Sequence, residues 1–355
     1  EIHMSRDYSR YASERVRLLE IACEHNHIKL VLHDSHSVLP PGQIQPGTGN
    51  EYKVFTPYYN KWLTEPWRPV LKPPLLISPS QLKTIKSNMP SLDYRSNAQV
   101  KGGESAGRSR MKYWLTSAIQ KYEKNRDDLG TPATSLLSPY LHFGCISLLE
   151  LAMTAKSNGS DAYVRQLCWR DFYLQILAKY PDSANSDYRD RGDRWNHNSE
   201  HLNAWKTGMT GYPIVDAGMR QLLTEGFMHN RARMVTASFL TKDLYLDWRL
   251  GAAHFRNWLI DGDLASNQLG WQWVAGTGTD TNPNRIFNPQ RQSERFDPTG
   301  EYIRKYVHEL KKIPTSLIHN PPSKLRAEFG YPEPIIDHKI AIDKYKDIKL
   351  KNRQK

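Results

Sequence analysis

Cysteine is scarce. There are three in 355 residues, Cys23, Cys145 and Cys168, and no two are close together. Such spacing excludes a disulfide framework and a zinc-finger-like site, and it fits a reducing compartment. No apolar run approaches the roughly 20 residues that cross a bilayer, and no signal-peptide pattern stands at the N-terminus. Neither a G-x-G-x-x-G loop nor a Walker loop occurs, and no His/Cys/Asp spacing suggests a metal. Acidic charge is also short: 37 Asp and Glu against 49 Lys and Arg leave a net +12. That balance favours an anionic partner, nucleic acid first. Part of the excess sits in the Lys-rich stretch 339–355, which reads as a solvated, frayed end. Mean hydropathy of −0.68 and 39% hydrophobic residues describe a water-soluble chain long enough for two domains.

Tryptophan, by contrast, is concentrated. The run 246–289 holds four of the ten, Trp248, Trp258, Trp271 and Trp273, together with Asp261, Asp263 and Asn267. Two indoles one residue apart, beside Gly270 and after an acidic turn, have the pattern of a wall around a flat aromatic ligand. Carboxylates there can accept hydrogen bonds from ribose hydroxyls or a flavin ring. A Trp-rich helical core would use the same residues.

Around this run the chain divides into four. Residues 1–72 read as a partial α/β domain: a strand end, a helix over 9–25 and a strand over 28–33, then a Pro/Gly loop over 40–49 and an aromatic helix over 54–67. One αβ unit cannot cover both faces of a sheet, so the rest of that sheet is expected from a preceding portion. Residues 73–108, with Pro73, Pro74, Pro79, Pro90 and Gly102-Gly103, read as an interdomain linker. Residues 109–345 carry helical periodicity almost throughout, for example over 111–125, 148–157, 163–180, 213–225, 231–245 and 252–259, and form an α-helical domain. Residues 346–355 are the basic tail.

Three constellations could carry chemistry. Thr134, Ser135, Leu136, Leu137 and Ser138 precede Pro139 and a helix-like run. Hydroxyls and free N–H groups there suit a pyrophosphate, although an ordinary Ser/Thr cap looks the same. Gln166, Trp169, Arg170 and Tyr173 share a helix face by their i, i+3, i+4, i+7 spacing, which suits stacking on a base and gripping a phosphate; an amphipathic helix with a half-buried Trp is the alternative. Asn230, Arg233 and Met234 share another face, with Arg231 beside them. His229 alone reads as a structural histidine.

The motifs TSLLSPYLHFG, WRDFY, TGYPIVDAGMRQL, MHNRARM, DWRLG, DGDLASNQLGWQW and RIFNP, in this order over residues 109–310, resemble the flavin-binding region of the DNA photolyase/cryptochrome family. The stretch 113–122 and the KVFTP run around Lys53 fit as well. The resemblance implies an α+β fold: a partial α/β Rossmann-like antenna domain, whose first part this chain lacks, followed by a mainly α-helical domain that holds FAD. It places Tyr122, Thr134, Ser135, Leu136, Leu137 and Ser138 at the phosphates and ribityl chain. Arg233, Asp261, Asp263 and Asn267 fall around the isoalloxazine and adenine, with Asn267 facing flavin N5. Trp271, Trp248 and Trp195 match an electron-transfer relay from flavin to surface.

The implied function is light-driven repair of cyclobutane pyrimidine dimers in DNA by electron transfer from excited FADH⁻ to a flipped-out dimer. Asn230 in MHNR resembles the class I dimer photolyases, and Trp169, Trp273 and Met234 match the groups that hold the dimer. Arg126, Arg170, Arg231 and Gln292 are candidates for DNA contact. Gln166 departs from the pattern: dimer photolyases usually carry glutamate there, whereas glutamine is the type found in (6-4) photolyases and many cryptochromes. The alternatives are therefore a cryptochrome-like photoreceptor or a (6-4)-type enzyme. For a second chromophore, Glu14 matches a folate contact but Ser13 replaces its usual asparagine partner, which favours a deazaflavin. Damaged DNA is the expected partner, with no membrane, a monomeric state and a cytoplasmic location, nucleoid-associated if the source is bacterial.

Overall fold

The computed structural model describes residues 1–47, 49, 51–72, 100–131 and 133–353, Arg353 by its backbone alone. Most of the expected linker, residues 73–99, lies outside these described residues. The N-terminal unit is β1 (Ile2–Ser5), α1 (Arg10–His25) and β2 (Leu30–His33). β1 and β2 pair in parallel with Ile2 opposite Leu30, and Ser9 caps α1 by accepting from Ala12 N at 3.2 Å. Next come α2 (Phe55–Thr64), α3 (Glu104–Tyr113), α4 (Tyr122–Asn125), α5 (Ser138–His142), α6 (Leu148–Ser157), α7 (Asp161–Lys179), α8 (Ser199–Thr207), α9 (Pro213–Glu225), α10 (Asn230–Ser238), α11 (Trp248–Trp258) and α12 (Leu264–Ala275). The chain finishes with α13 (Pro289–Phe296), α14 (Glu301–Tyr306), α15 (Thr315–Ile318), α16 (Ser323–Phe329) and α17 (His338–Arg353). Pro139, Pro213 and Pro289 stand in first turns, where a missing N–H costs nothing. Gly208, Gly226 and Gly276 end helices in the left-handed region.

Two apolar clusters form the core. One gathers Val38, Trp62, Trp114, Leu137, Tyr163 and Phe172 around α2, α3, α6 and α7. The other gathers Trp205, Met219, Val235, Trp248, Phe255 and Trp271 around α8 to α11. α12 is the party wall: Ala265 and Leu269 belong to the first cluster, Trp271, Val274 and Ala275 to the second. Its remaining face is polar and fixed. Gln268 donates to Ala184 O at 2.5 Å, and Gln272 donates to Ser183 O at 2.6 Å while accepting from Tyr188 N at 2.7 Å. The segment after β2 is tied on through the buried Asp171 of α7, which accepts from Val38 N, Leu39 N and Trp62 Nε1 at 2.8–3.0 Å.

Three segments differ from expectation. Residues 104–108, given to the linker, start α3. The single helix expected over 111–125 is broken by a π-helical stretch, Trp114–Ala118, and a 3-10 turn, Ile119–Lys121. The widened turn lets the successive side chains of Trp114 and Leu115 both reach the core. Residues 339–353, part of the stretch expected to be a frayed end, are helical. They continue α17, and Ala341, Ile342, Tyr345 and Lys349 form a buried seam at helical spacing. That seam is pinned by contacts of His338 with Asp243, Lys349 with Asp193, and Tyr345 Oη with Lys242 Nζ (2.8 Å).

Candidate functional site

Three segments distant in sequence converge at the start of α12. Asp261 is buried and accepts from Ser138 Oγ at 2.6 Å and from Arg233 Nη2 at 2.8 and 2.9 Å. Arg233 is held further by donating Nε to Met228 O at 2.7 Å, and its guanidinium lies over Phe227 at 5.3 Å. Two residues on, Asp263 caps α12 by accepting from Ser266 N at 2.9 Å, and Arg170 of α7 reaches its other oxygen at 3.3 Å. Burial pushes the Asp263 carboxyl up, but Arg170 and the Ser266 hydrogen bonds outweigh it and hold the group below its ordinary value. His142 stands near the same charges; burial lowers its pKa, with Asp263 opposing. The result is a polar pocket edge of fixed charge.

The 134–138 loop lies beside this edge. Arg110 of α3 donates to Ser135 O at 2.7 Å and to Thr134 O at 3.3 Å. Leu136 then takes a left-handed backbone, φ 53°, at a cost of roughly 1–2 kcal/mol for a residue with a Cβ. That bend buries Leu137 completely and turns Ser138 to Asp261. Strain of this kind gathers where a loop must present groups to a ligand. Tyr122 is buried edge-on against Trp114 and Tyr163, and burial pushes its phenol up to about 12.

The indoles follow along α12 and α11. Asn267 donates Nδ2 to Ala252 O at 3.0 Å and to Gln268 Oε1 at 2.9 Å, which locks α12 to α11. Trp271 is buried, stands edge-on to Phe255 at 4.9 Å, and keeps a buried Nε1 with no partner among the described residues. Trp248 is fully buried and donates Nε1 to Asp187 at 2.8 Å. Trp195 is half-buried against Tyr245 at 5.0 Å, brought there by a parallel bridge between Asn196 and Leu246. Gly251 of the DWRLG motif was not singled out as a site residue, yet a Cβ there would enter the Trp271 ring and meet Leu240 Cδ2 at 2.6 Å. A glycine inside a helix is the signal that could have found it.

On the side expected to face DNA, the structure gives several residues partners within the protein. Trp169 is not a free platform: it stacks on Phe55 of α2, centroids 3.7 Å and planes 5° apart, and meets Tyr173 at 5.3 Å. Gln166 is exposed on the same helix. Arg170 and Arg231 are not free cations. The first pairs with Asp263, and the second donates to Asp127 at 2.6 Å and lies over Phe296 at 4.3 Å. Arg126 sits over Tyr122 at 5.9 Å. Met234 Sδ has Asn230 Nδ2 and Arg231 Nη1 both at 3.8 Å. Trp273 lies beneath Arg285 at 5.2 Å, and Arg285 leans on Asp280 at 3.4 Å. Gln292 is half-buried on α13. Glu14 is exposed and bonded to Arg17 at 2.7 and 2.9 Å.

His229 has a role beyond filling space. Its Nδ1 accepts from Arg231 N at 3.1 Å and so caps α10, the helix that carries Asn230, Arg233 and Met234. The cap requires a neutral ring, and burial lowers its pKa from 6.5 to about 4. A depressed pKa means stability that is present above pH 6.5 and lost as pH falls toward 4, up to about 3 kcal/mol. In guanidinium titrations at pH 7, 5.5 and 4.5, the stability difference between the parent and His229→Gln should shrink steadily. A difference independent of pH would mean the ring is not a neutral cap.

With this geometry in place, likeness to known proteins is informative. The family described as the FAD binding domain of DNA photolyase matches residues 163–348, and that described as DNA photolyase matches residues 1–75. A deoxyribodipyrimidine photo-lyase of Streptomyces griseus is 47% identical over 348 residues, covering 95% of this chain and 76% of that protein. Among solved structures, a bacterial class III photolyase from Agrobacterium tumefaciens superposes with a TM-score of 0.92 at 32% identity, over 99% of this chain and 79% of its own. A Synechocystis cryptochrome does so with a TM-score of 0.87 at 28% identity, over 97% and 78%. The chain belongs to the DNA photolyase/cryptochrome family, and its α+β fold with a helical FAD-binding domain is that of the family.

Proposed function

We propose that this protein is a deoxyribodipyrimidine photo-lyase that repairs cyclobutane pyrimidine dimers in DNA under light, using FAD. The observation that carries the reading is the Ser138–Asp261–Arg233 group set against the Asn267–Trp271 face of α12. The residues suit a flavin dinucleotide. A strained hydroxyl-rich loop faces a buried carboxylate–guanidinium pair, and beside them are an amide and an indole whose Nε1 has no partner among the described residues. Thr134, Ser135 and Ser138 would hold the phosphates and ribityl chain, Arg233 and Asp261 the polar ring edge, and Asn267 the region of N5. When bound, FAD supplies the light-driven electron donor and acceptor.

The chain's own groups bind, orient and exclude water. Photolyases take the target out of the duplex, most readily where stacking is already damaged. Asn230 and Met234 would contact the dimer at one side, Trp169 and Trp273 at the other. The Arg170–Asp263 and Arg231–Asp127 pairs act as positioning groups for α12 and α10. Trp271, Trp248 and Trp195 would carry electrons between the cofactor and the surface. The Asn230 pattern supports assignment to the class I dimer enzymes. A monomer in the cytoplasm with a deazaflavin antenna completes the reading.

Gln166 favours a second reading, a cryptochrome-like photoreceptor, because an amide donates a hydrogen bond but cannot hand over a proton as a carboxylic acid does. The test is to illuminate the reduced, flavin-loaded protein with a dimer-containing oligonucleotide. Monomeric thymines should be recovered, faster in Gln166→Glu than in the parent. Affinity should fall log-linearly with salt. Photoreduction without any thymine recovery in either protein would select the photoreceptor.

A further inference from the structure

Trp205 lies outside every motif that singled out the site, on α8, yet among the described residues it is the indole in ring contact with Trp271. The centroids are 5.9 Å apart and the planes 72°. Trp205 is fully buried and donates Nε1 to Thr236 O at 3.0 Å, so its orientation is fixed. Its other side meets the His254 ring at 5.7 Å, and His254 meets Trp258 at 6.4 Å. Trp258 ends α11 and is 45% exposed, unusual for an indole in a domain that buries Trp114, Trp205 and Trp248 completely. Four rings thus run unbroken from the buried Trp271 to water. They leave by the α8–α11 side, whereas Trp248 and Trp195 lead toward the 187–196 segment.

From this geometry we propose that Trp205 and Trp258 form a second branch of the electron relay, delivering electrons to Trp271 from a surface different from that of Trp195. The inference rests on the reading of Trp271 as the indole that reduces the light-excited oxidised flavin. When Trp271 gives up one electron, the vacancy on its indole is filled from Trp205, and that of Trp205 from Trp258, across His254. Exposed Trp258 then loses its Nε1 proton to water, and an external thiol returns one electron and one proton. The imidazole on the path does not oppose a passing positive charge, because burial lowers its pKa to about 4 and the ring stays neutral at ordinary pH. Its Nε2 is buried without a partner among the described residues, and no carboxylate among them holds a proton on that nitrogen. Trp248 differs: its Nε1 is bonded to Asp187 and Arg249 lies over its ring at 4.9 Å.

The experiment compares Trp195→Phe, Trp258→Phe, Trp205→Phe and the double variant Trp195→Phe/Trp258→Phe in the flavin-loaded protein. Two readouts are used: blue-light photoreduction in the presence of thiol, and transient absorption of the neutral tryptophanyl radical. Trp258 is exposed, so its variant should fold as the parent does, checked by thermal melting. Trp195→Phe should retain slow photoreduction and a radical signal, and the double variant should lose both. Loss of both in Trp195→Phe alone, or a double variant indistinguishable from Trp195→Phe, would overturn the branch while leaving the relay intact. Undiminished photoreduction in Trp271→Phe would instead overturn the relay reading, and the branch with it.

Discussion

Gly251→Ala should lower stability and flavin occupancy together. In most exposed helix interiors this exchange stabilises by roughly 1 kcal/mol. Here the new methyl would enter the Trp271 ring, with Cζ3 at 2.6 Å, and would press on Leu240 Cδ2, also at 2.6 Å. Neither neighbour can retreat, because Trp271 is boxed by Phe255 and Trp205, and Leu240 is fully buried. Overpacking of this kind costs about 1–3 kcal/mol, so sterics should outweigh propensity. Denaturation midpoints and the flavin absorbance per mole of protein read the two effects. An alanine variant as stable as the parent, with full flavin content, would mean that the α11–α12 contact is looser than described.

Asp261→Ala is expected to be costlier still. It removes the acceptor of both Ser138 and Arg233 and leaves a guanidinium that is only 25% exposed without its counter-charge. Breaking such a pair from one side costs about 3–5 kcal/mol, toward the lower end here because Arg233 keeps some solvent. Removing both partners, as in Asp261→Leu with Arg233→Met, should cost less than Asp261→Ala alone. Urea titrations of the parent and the two variants compare the costs. If the double variant is the least stable, the pair is not isolated from solvent as the geometry implies. Flavin content should fall in both variants.

Local signals made much of this architecture legible. Ser9 before an apolar-periodic run and the prolines at 139 and 213 mark helix starts, and Gly226 marks a helix end, each for a reason that acts within a few residues. The αβ unit followed the same logic. What stayed hidden depends on distant partners. No periodicity announces the π-helical stretch Phe239–Asp243, all of it buried and pressed by α17. Lys242 inside it looks like a surface residue. It is nonetheless buried, donating to Ala275 O at 2.6 Å and Pro283 O at 3.2 Å, and burial lowers its pKa to about 7. α17 was misread because its lysines masked a narrow apolar seam. At the site, the residue types and their order brought Ser138, Arg233 and Asp261 to notice, and the fold joined them. The ion-pair partners of Arg170 and Arg231 stayed hidden, because Asp263 and Asp127 lie 93 and 104 positions away in the chain. Trp205 carries no motif of its own; its part becomes visible only where rings touch.

The polar face of α12 bears on how quickly charge can move here. Gln268 and Gln272 have their dipoles spoken for by Ala184, Ser183 and Tyr188, so in the proposed relay they would not swing when an electron arrives at or leaves the neighbouring rings. A wall whose dipoles are frozen keeps the reorganisation energy of transfer small. Loosening either glutamine should therefore slow electron movement while leaving every indole in place.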